Sequence, residues 1–172
     1  MTIEIRPCSA GDAAALALVG QATFLETYAT VLPPGDILAH CAHEHGEGRY
    51  AAWLADPAYR LWAAVVAETG VMVGYVMLCP PDLPTPTDEH DLEVKRIYLL
   101  SSFQGGGVGA RLMQTALDAA RASGAQRVLL GVYGKNDAAI AFYTRQGFIQ
   151  AGVRRFQVGA NTYDDLVLAK SL

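Results

Sequence analysis

The sequence predicts a mixed α/β fold, in which helices flank a central sheet and one pair of neighbouring strands is parallel. Two valine-rich apolar runs, 60–68 and 71–79, are separated by Thr69-Gly70, which favours an antiparallel hairpin. An apolar run at 92–100 leads through a glycine-rich turn into an amphipathic segment, and a further apolar run at 127–133 follows. A strand, a helix and a strand in succession are typical of a parallel pair. The sheet should therefore be antiparallel early and locally parallel around the glycine turn.

The first third of the chain is predicted to be one strand followed by helices. Thr2 to Arg6 alternates in polarity, as a strand does. Ser9-Ala10-Gly11-Asp12 has the form of a helix N-cap with an acid at the third position. The Ala/Leu-rich helix after it is expected to run to about Thr30. Beyond Pro33-Pro34-Gly35, the segment 36–56 should form one or two short helices.

The middle of the chain follows from the same signals. The hairpin is followed by the segment 80–91, which holds four of the eight prolines and is expected to be an exposed loop. A helix from Val108 to Ser123 is predicted because apolar residues recur at a spacing of four, and Gly124 ends it. That buried stripe consists of Val108, Leu112, Ala116 and Ala120.

Two strands and a short helix complete the prediction after the run 127–133, which is apolar without interruption and should be a strand buried on both faces. Asp137 can cap a short helix that ends at Arg145. The runs 148–156 and 163–169 are then expected to pair around Gly159-Ala160-Asn161. All elements fit one domain spanning residues 1–172.

Composition narrows the class of protein. The chain is 52% hydrophobic with a mean hydropathy of +0.20, yet no apolar run approaches the roughly 20 residues that cross a bilayer. Its N-terminus lacks the basic-then-apolar design of a secretory signal. Cys8, Cys41 and Cys79 are odd in number and widely spaced, as expected of reduced thiols. We therefore expect a cytoplasmic protein with no membrane partner.

The charge of the chain is divided along its length. Residues 1–94 carry 13 acids and 3 bases, whereas residues 95–172 carry 4 acids and 10 bases. One half could favour a cation and the other an anion, unless the strands and helices of the two halves interleave and blur the division. No basic stripe indicates a nucleic-acid partner.

The glycine turn, Gln104-Gly105-Gly106-Gly107-Val108-Gly109-Ala110, is the strongest functional signal. Such a turn between a strand and a helix presents uncovered backbone N–H groups at the positive end of the helix dipole, which suits a phosphate group. Gly105-x-Gly107-x-x-Ala110 satisfies a dinucleotide fingerprint. That fingerprint normally opens its domain and has an acid about 20 residues later, whereas here four predicted strands precede the turn and the next strand ends in Tyr133-Gly134-Lys135.

Read as Gln104-x-x-Gly107-x-Gly109, the same turn resembles the acyl-CoA loop of the GNAT N-acetyltransferase superfamily, whose pattern is Arg/Gln-x-x-Gly-x-Gly/Ala. Asn136 followed by 139–148 is similar to that family's second motif, in which an aromatic pair and a Gly-Phe close the cofactor site. The order of strands and helices agrees over nearly the whole chain. The resemblance implies the GNAT fold, a mostly antiparallel sheet with a splayed parallel pair, and acetyl-CoA as co-substrate without a metal.

Within that superfamily, three segments resemble bacterial polyamine N-acetyltransferases: 23–28, 92–98 and 164–170. This narrower resemblance implies a small-molecule amine as acceptor, with spermidine or spermine as candidates. Dimers are common in the resembling family, so a homodimer is a candidate assembly.

The resemblance also implies residue roles in cofactor binding. Backbone N–H groups from Gln104 through Ala110 (Gly105, Gly106, Gly107, Val108 and Gly109 between them) would hold the pyrophosphate, with Gly107 and Gly109 admitting the anion. The free backbone groups of Ile97, Tyr98 and Leu99 would pair with pantetheine amides. Asn136 would contact the cofactor or cap a helix, and Arg145 would add charge near a phosphate or lie exposed at a helix end.

Two residues are candidates for the chemistry. Attack of an amine on a thioester expels a thiolate, and the phenol of Tyr143, with an ordinary pKa of about 10, can protonate that sulfur. The attacking amine must be neutral, so Glu93, on the strand leading into the turn, is the candidate base acting through water. The alternatives are a core tyrosine and a carboxylate paired with a neighbouring base.

The segment between the first helix and the hairpin is rich in polar side chains. His40, Cys41, His43 and His45 could suggest a metal, but no second ligand pair at structural-zinc spacing follows them. They are expected to wall the acceptor cleft, where acids could attract a cationic amine. Those acids are Glu26, Glu44 and Glu47, for which a solvated surface is the alternative.

The sequence thus predicts an acetyl-CoA-dependent N-acetyltransferase in which the amine attacks directly within a ternary complex. Two other functions remain open at this point: a catalytically idle CoA-binding regulatory protein and an NAD(P)-binding oxidoreductase.

Overall fold

The computed structural model describes residues 1–172, with the exception of the Phe156 side chain. Seven strands form one sheet: β1 Ile3–Pro7, β2 Arg60–Val66, β3 Met72–Cys79, β4 Asp91–Leu99, β5 Arg127–Tyr133, β6 Ile149–Val158 and β7 Asn161–Ser171. The longer helices are α1 Ala13–Tyr28, α2 Pro34–Glu44, α3 Glu47–Ala55, α4 Val108–Ala122 and α5 Asp137–Arg145. These elements follow the predicted order. Across the described chain, no helix has both the length and the apolar character needed to cross a bilayer.

The strands are arranged in the order β1-β2-β3-β4-β5-β7-β6. Neighbouring strands are antiparallel throughout, apart from β4 and β5, which are parallel. The first predicted hairpin turns at Gly70, whose φ of +72° is in the left-handed region that glycine adopts without strain. The second predicted pair is the β6–β7 hairpin, which turns at Gly159-Ala160. The mixed α/β class is confirmed.

The helices cover both faces of the sheet. We call the face covered by α1, α2 and α3 the front, and the face covered by α4 and α5 the back. The predicted α4 stripe of Val108, Leu112, Ala116 and Ala120 is buried against the back. The β5 strand is largely buried, because its side chains alternate between the back core and a smaller front cluster.

The entry into α1 is fixed by a buried acid. A short 3-10 turn, Ala10–Asp12, precedes the helix, and the Asp12 carboxylate accepts the Ser9 backbone N–H at 2.7 Å. Arg6 Nη2 donates to the same carboxylate at 2.7 Å. The hydrogen bond from Arg6 is the main reason why the pKa of Asp12 falls to about 2. This pair ties β1 to the start of α1.

Candidate active site

Strands β4 and β5 are paired only at their first residues and then diverge. Asp91, Leu92 and Glu93 lie opposite 127–129, whereas β4 continues to Leu99 and β5 to Tyr133 beyond this pairing. The expected splayed parallel pair is therefore present. Glu93 lies at its vertex, and the edge of β4 that faces β5 is open from Val94 onward.

The three residues predicted to meet pantetheine lie on this open part of β4. The Leu100 N–H donates to a β3 carbonyl at 3.0 Å. Because successive residues of a strand point their backbone groups to opposite edges, those of Ile97 and Leu99 point into the splay. The Tyr98 carbonyl lies on the β3 side, 2.6 Å from where a Cβ at Gly74 would be. Tyr98 instead places its ring among the aromatic residues of the front.

The glycine turn joins the open end of β4 to α4. Gln104 folds back, and its Nε2 donates to Leu99 O at 3.0 Å. Gly105 and Gly107 have φ values of +81° and +79°, which an L side chain adopts only at a cost of about 1–2 kcal/mol. These glycines therefore set the backbone path of the turn. Gly106 is exposed, and nothing lies within 4 Å of where its Cβ would be.

The end of the turn carries unpaired backbone donors. The Arg111 N–H donates to Gly107 O at 3.1 Å. The N–H groups of Val108, Gly109 and Ala110 come before that bond in the helix and have no helical acceptor. They lie at the positive end of the α4 dipole, and such a geometry binds phosphate in proteins.

The second predicted motif packs directly against the first. A Cβ at Gly109 would lie 3.6 Å from the Phe142 ring, so this glycine allows α5 to approach α4 closely. Phe142 is in turn in edge contact with Tyr143, at 5.3 Å between ring centroids. The two motifs, which are about 30 residues apart in the sequence, therefore form one wall behind the splay.

Asn136 is the N-cap of α5. Its Oδ1 accepts the Ala139 N–H at 3.1 Å, so the cap is Asn136 rather than Asp137, which is the first helical residue. The helix-cap alternative for Asn136 is therefore confirmed, and the expected cap at Asp137 is one residue late because both side chains can accept this bond. Arg145 lies exposed in the last turn of α5.

Tyr143 is 9% exposed and belongs to the back core, where its ring lies 6.1 Å from that of Phe148. Burial, with a smaller contribution from Tyr98, raises the pKa of Tyr143. A tyrosine phenol is protonated at neutral pH with or without this shift, and the raised pKa makes it a weaker acid.

Glu93 is buried on the front side of the sheet, with 2% of its surface exposed. Its Oε2 accepts the Asp82 backbone N–H at 2.8 Å, so the loop between β3 and β4 closes over it. The alternative expectation was that Glu93 pairs with a basic side chain. This oxygen binds a backbone N–H instead.

A buried polar network fills the front beside β4. Arg96 donates to the Tyr50 hydroxyl at 3.1 Å and to Glu44 Oε2 at 2.9 Å. The Tyr50 hydroxyl also hydrogen-bonds with the Tyr75 hydroxyl and, at 2.8 Å, with His45 Nδ1. Burial, together with Arg96, lowers the pKa of His45 to about 2, so this histidine is neutral. The network cross-links α2, α3 and the sheet.

The histidines predicted to wall the cleft have separate roles. His40 stacks on Phe24 at 4.2 Å, His43 is exposed beside Glu44, and His45 belongs to the buried network. Within the described side chains, no three of His, Cys, Asp and Glu come together as metal ligands do.

Of the three acids expected to attract an amine, two already bind protein groups. Glu44 pairs with Arg96, and Glu26 accepts the Ser101 backbone N–H and hydroxyl at 3.1 and 2.9 Å. Glu47 is exposed at the start of α3. None of the three is a buried carboxylate with an oxygen left for a ligand.

A second polar group, for which the sequence patterns predict no role, lies in the front across the splay from Tyr98. Asp165 of β7 is 3% exposed. Arg154 Nε of β6 donates to its Oδ2 at 3.1 Å, and Arg154 Nη2 forms an ion pair with the same oxygen at 3.1 Å. The signal was available: Tyr163 and Asp165 alternate on one strand face just before the apolar run 166–169.

The chain was compared with known proteins. The family model of the GNAT acetyltransferases matches residues 25–148, which span both the glycine turn and the α5 motif. The chain belongs to the GNAT family. A Mycobacterium tuberculosis protein described as an uncharacterised N-acetyltransferase is 35% identical over 94% of this chain and 98% of its own length. A Lactobacillus delbrueckii subsp. lactis protein with the same description is 27% identical over 99% of this chain and 98% of its own length.

Solved structures agree on the fold. The PaiA N-acetyltransferase of Thermoplasma acidophilum, crystallised with coenzyme A, superposes with a TM-score of 0.79 over 100% of both chains at 18% identity. A GCN5-related N-acetyltransferase from Rhodopseudomonas palustris gives a TM-score of 0.77 at 20% identity, over 100% of this chain and 97% of its own. Membership of this GNAT acetyltransferase family favours the acyl-CoA interpretation of the glycine turn over the dinucleotide one.

Proposed function

We propose that this GNAT-family chain transfers the acetyl group of acetyl-CoA to a primary amine of a small molecule, with polyamines as candidate acceptors. The observation that carries the proposal is the junction at the end of β4. There the strand pair splays open beside the unpaired N–H groups of Val108, Gly109 and Ala110. The open edge of β4, which can pair with an extended chain, thus lies next to a helix N-terminus that can bind an anion. The pantetheine arm and the pyrophosphate of CoA require these two features side by side.

The chain's own residues fit each part of this co-substrate. Backbone N–H groups of Gly105 to Ala110 would hold the pyrophosphate, and Gln104 braces the turn from Leu99. The splay-facing backbone groups of Ile97 and Leu99 would pair with the pantetheine amides. Tyr98 would contribute its side chain at the front. Bound acetyl-CoA supplies the acetyl group in activated form, as a thioester.

Two residues would move the protons. The amine nitrogen forms the new C–N bond as the C–S bond breaks. Glu93, at the vertex of the splay, takes the proton from the amine through water. Tyr143 gives its proton to the departing thiolate as negative charge develops on the sulfur. The products are an N-acetylated amine and free CoA. Asn136 would act indirectly by starting α5, and Arg145 would add positive charge at the cofactor end.

We also propose a cytoplasmic enzyme that acts as one domain, with a homodimer as the candidate assembly. The free cysteines Cys8, Cys41 and Cys79 are consistent with a reducing compartment.

A single substitution at the turn tests the co-substrate. Gly107→Glu places bulk and negative charge where the pyrophosphate would lie, so calorimetry should show at least a 100-fold loss of acetyl-CoA affinity. Gly70→Glu is the matched control, because Gly70 has a φ of +72°, is exposed and has nothing within 4 Å of its Cβ position. Gly70→Glu should bind as the wild type does. Equal affinity in the two variants would contradict the proposal.

The activity itself is tested with an amine panel scored by release of free CoA. The panel contains spermidine, spermine, amino acids and peptide N-termini. Acetyl-CoA binding without thiol release for any amine would favour the idle regulatory protein. Stabilisation by NAD(P) rather than by CoA in a thermal-shift comparison would favour an oxidoreductase.

A further inference from the structure

One oxygen of the buried Asp165 carboxylate lacks a partner. The hydrogen bond from Arg154 Nε and the ion pair with Arg154 Nη2 both involve Oδ2, whereas Oδ1 is buried and has no hydrogen-bond partner among the described residues. Leaving a buried carboxylate oxygen unpaired is unfavourable, and such groups in proteins usually have a donor. A donor from outside the protein, a ligand group or an ordered water, is expected at this oxygen.

Three tyrosine rings lie on the same side of the sheet as this carboxylate. Tyr133 of β5 is directly opposite Asp165 in the strand register, and Tyr163 precedes Asp165 by two residues on β7. Tyr28 of α1 closes the group from above. Ring centroids are 5.9 Å apart between Tyr28 and Tyr133 and 5.9 Å apart between Tyr133 and Tyr163. We call these three rings, Tyr28, Tyr133 and Tyr163, the tyrosine cage.

The tyrosine cage lies at the mouth of the splay. Tyr133 is the last residue of β5, beyond the part of the strand that pairs with β4. All three rings are half-buried, which leaves their faces partly available to a ligand.

The position of the Arg154 side chain depends on a glycine in the neighbouring part of the sheet. A Cβ at Gly131 of β5 would lie 2.5 Å from both Cζ and Nη2 of Arg154. Glycine at this position therefore lets the guanidinium lie across β5 and hold Oδ2 while Oδ1 is left for another donor. A carboxylate oxygen combined with aromatic rings is the chemistry that recognises an ammonium group in proteins.

We propose that Asp165 Oδ1 and the tyrosine cage bind a cationic group of the acceptor other than the amine that is acetylated. The bound cation cannot be the amine that is acetylated, because the two groups need different protonation states. A carboxylate and aromatic rings stabilise the charged form of an amine, whereas the attacking nitrogen must be neutral. The acceptor class is therefore an amine with a second cationic centre, such as a diamine or polyamine. The inference rests on the proposed function only in calling the bound cation an acceptor.

The test measures binding to the CoA-loaded protein by calorimetry, with 1,4-diaminobutane as the cationic probe and 1,4-butanediol as the uncharged probe of the same length. The wild type should bind the diamine at least 10-fold more tightly, since a hydrogen bond to a charged group is equivalent to roughly 10- to 100-fold. Asp165→Asn keeps the side-chain size and should abolish this preference. Asp164→Asn is the matched control, because Asp164 is exposed on the opposite side of the same strand. It should retain the preference.

A second pair of variants covers the case in which Asp165→Asn does not fold. Tyr28→Phe keeps the ring face and should keep the diamine preference, whereas Tyr28→Leu removes the face and should reduce it. The inference is overturned if the wild type shows no preference, if Asp165→Asn retains it, or if Tyr28→Leu and Tyr28→Phe bind alike. A wild type that prefers the diamine but releases no CoA would support the cage and contradict the transferase.

Discussion

Replacing Gly20 by alanine sets two measurable effects against each other. Gly20 lies in the middle of α1, where alanine is ordinarily more stable than glycine by about 1 kcal/mol. Its Cα, however, faces the buried network of the front. An added Cβ would lie 2.5 Å from the Tyr50 hydroxyl, closer still to His45 Nδ1, and 3.2 Å from the Tyr75 hydroxyl. Tyr50, Tyr75 and His45 are all fully buried, so none can move into solvent.

The clash should exceed the gain in helix propensity. Overpacking a core costs about 1–3 kcal/mol. Displacing the Tyr50 hydroxyl also weakens its bond from Arg96, and hydrogen bonds to charged groups contribute about 1.5–3 kcal/mol. Subtracting the helix gain of about 1 kcal/mol leaves a net destabilisation of about 1.5–5 kcal/mol. For a chain of this length that corresponds to a fall in Tm of about 10 °C.

Urea and thermal denaturation of Gly20→Ala measure this difference. Gly48→Ala is the control, because Gly48 lies in α3, is exposed and has nothing within 4 Å of its Cβ position. It should be as stable as the wild type or more stable by up to about 1 kcal/mol. If Gly20→Ala also matched or exceeded the wild type, the account of the network as a tightly packed core would be wrong.

Two further predictions concern single side chains. Tyr143→Phe should lower kcat by about 10²–10⁴-fold while leaving acetyl-CoA affinity unchanged, with Tyr59→Phe as a remote control; wild-type turnover would reject the proton-donor role. Asp12→Asn should destabilise the fold by about 2 kcal/mol at pH 6 through loss of the Arg6 pair. Because the folded pKa of Asp12 is about 2, below its ordinary 3.8, that contribution is present above pH 4 and is lost as the pH falls toward 2. The difference between wild type and Asp12→Asn in urea denaturation should therefore shrink between pH 5 and pH 2.5, and a constant difference would refute the linkage.

Local signals explain why the order of elements was predictable. The β5 strand occupies the predicted residues, Arg127–Tyr133, because a positive-φ glycine ends α4 at Gly124 and an unbroken apolar run follows. The same holds for the α4 stripe and for both hairpins, where the turn residues are adjacent to the runs that pair. The sequence left two candidates for the α5 cap, Asn136 and Asp137, because both side chains are equally good by chemistry.

Contacts between distant residues account for what the sequence did not show. Arg96 meets Glu44 and Tyr50 across 52 and 46 residues of sequence, so no periodic pattern marks the network. Glu44, expected to attract a substrate, is paired with Arg96 for this reason. The Asp165 site is likewise formed by β5, β6, β7 and α1 together, so no single segment of the sequence indicates its unpaired oxygen.

The two differently charged parts of the chain correspond to two sets of strands that meet at the splay. Strands β1 to β4 fall within residues 1–99 and β5 to β7 within residues 127–171, and the sheet order keeps the two sets apart. The interleaving that could have blurred the division is thus absent from the sheet, although α4 packs back across β3 and β4. The chain passes from one set to the other only once, through β4, α4 and β5.

That single crossing is also what creates the site. A parallel connection needs a crossover element, and here it is α4, whose N-terminus must lie where β4 ends. The unpaired N–H groups are consequently placed beside the splay by the topology itself. Within this arrangement Gly105 and Gly107 set the backbone path of the turn. Asp165 and Tyr133 lie on the opposite wall of the site. If the topology places the anion seat and these side chains select the acceptor, substitutions at Asp165 should change which amine is bound without changing acetyl-CoA affinity, and those at Gly107 should do the reverse.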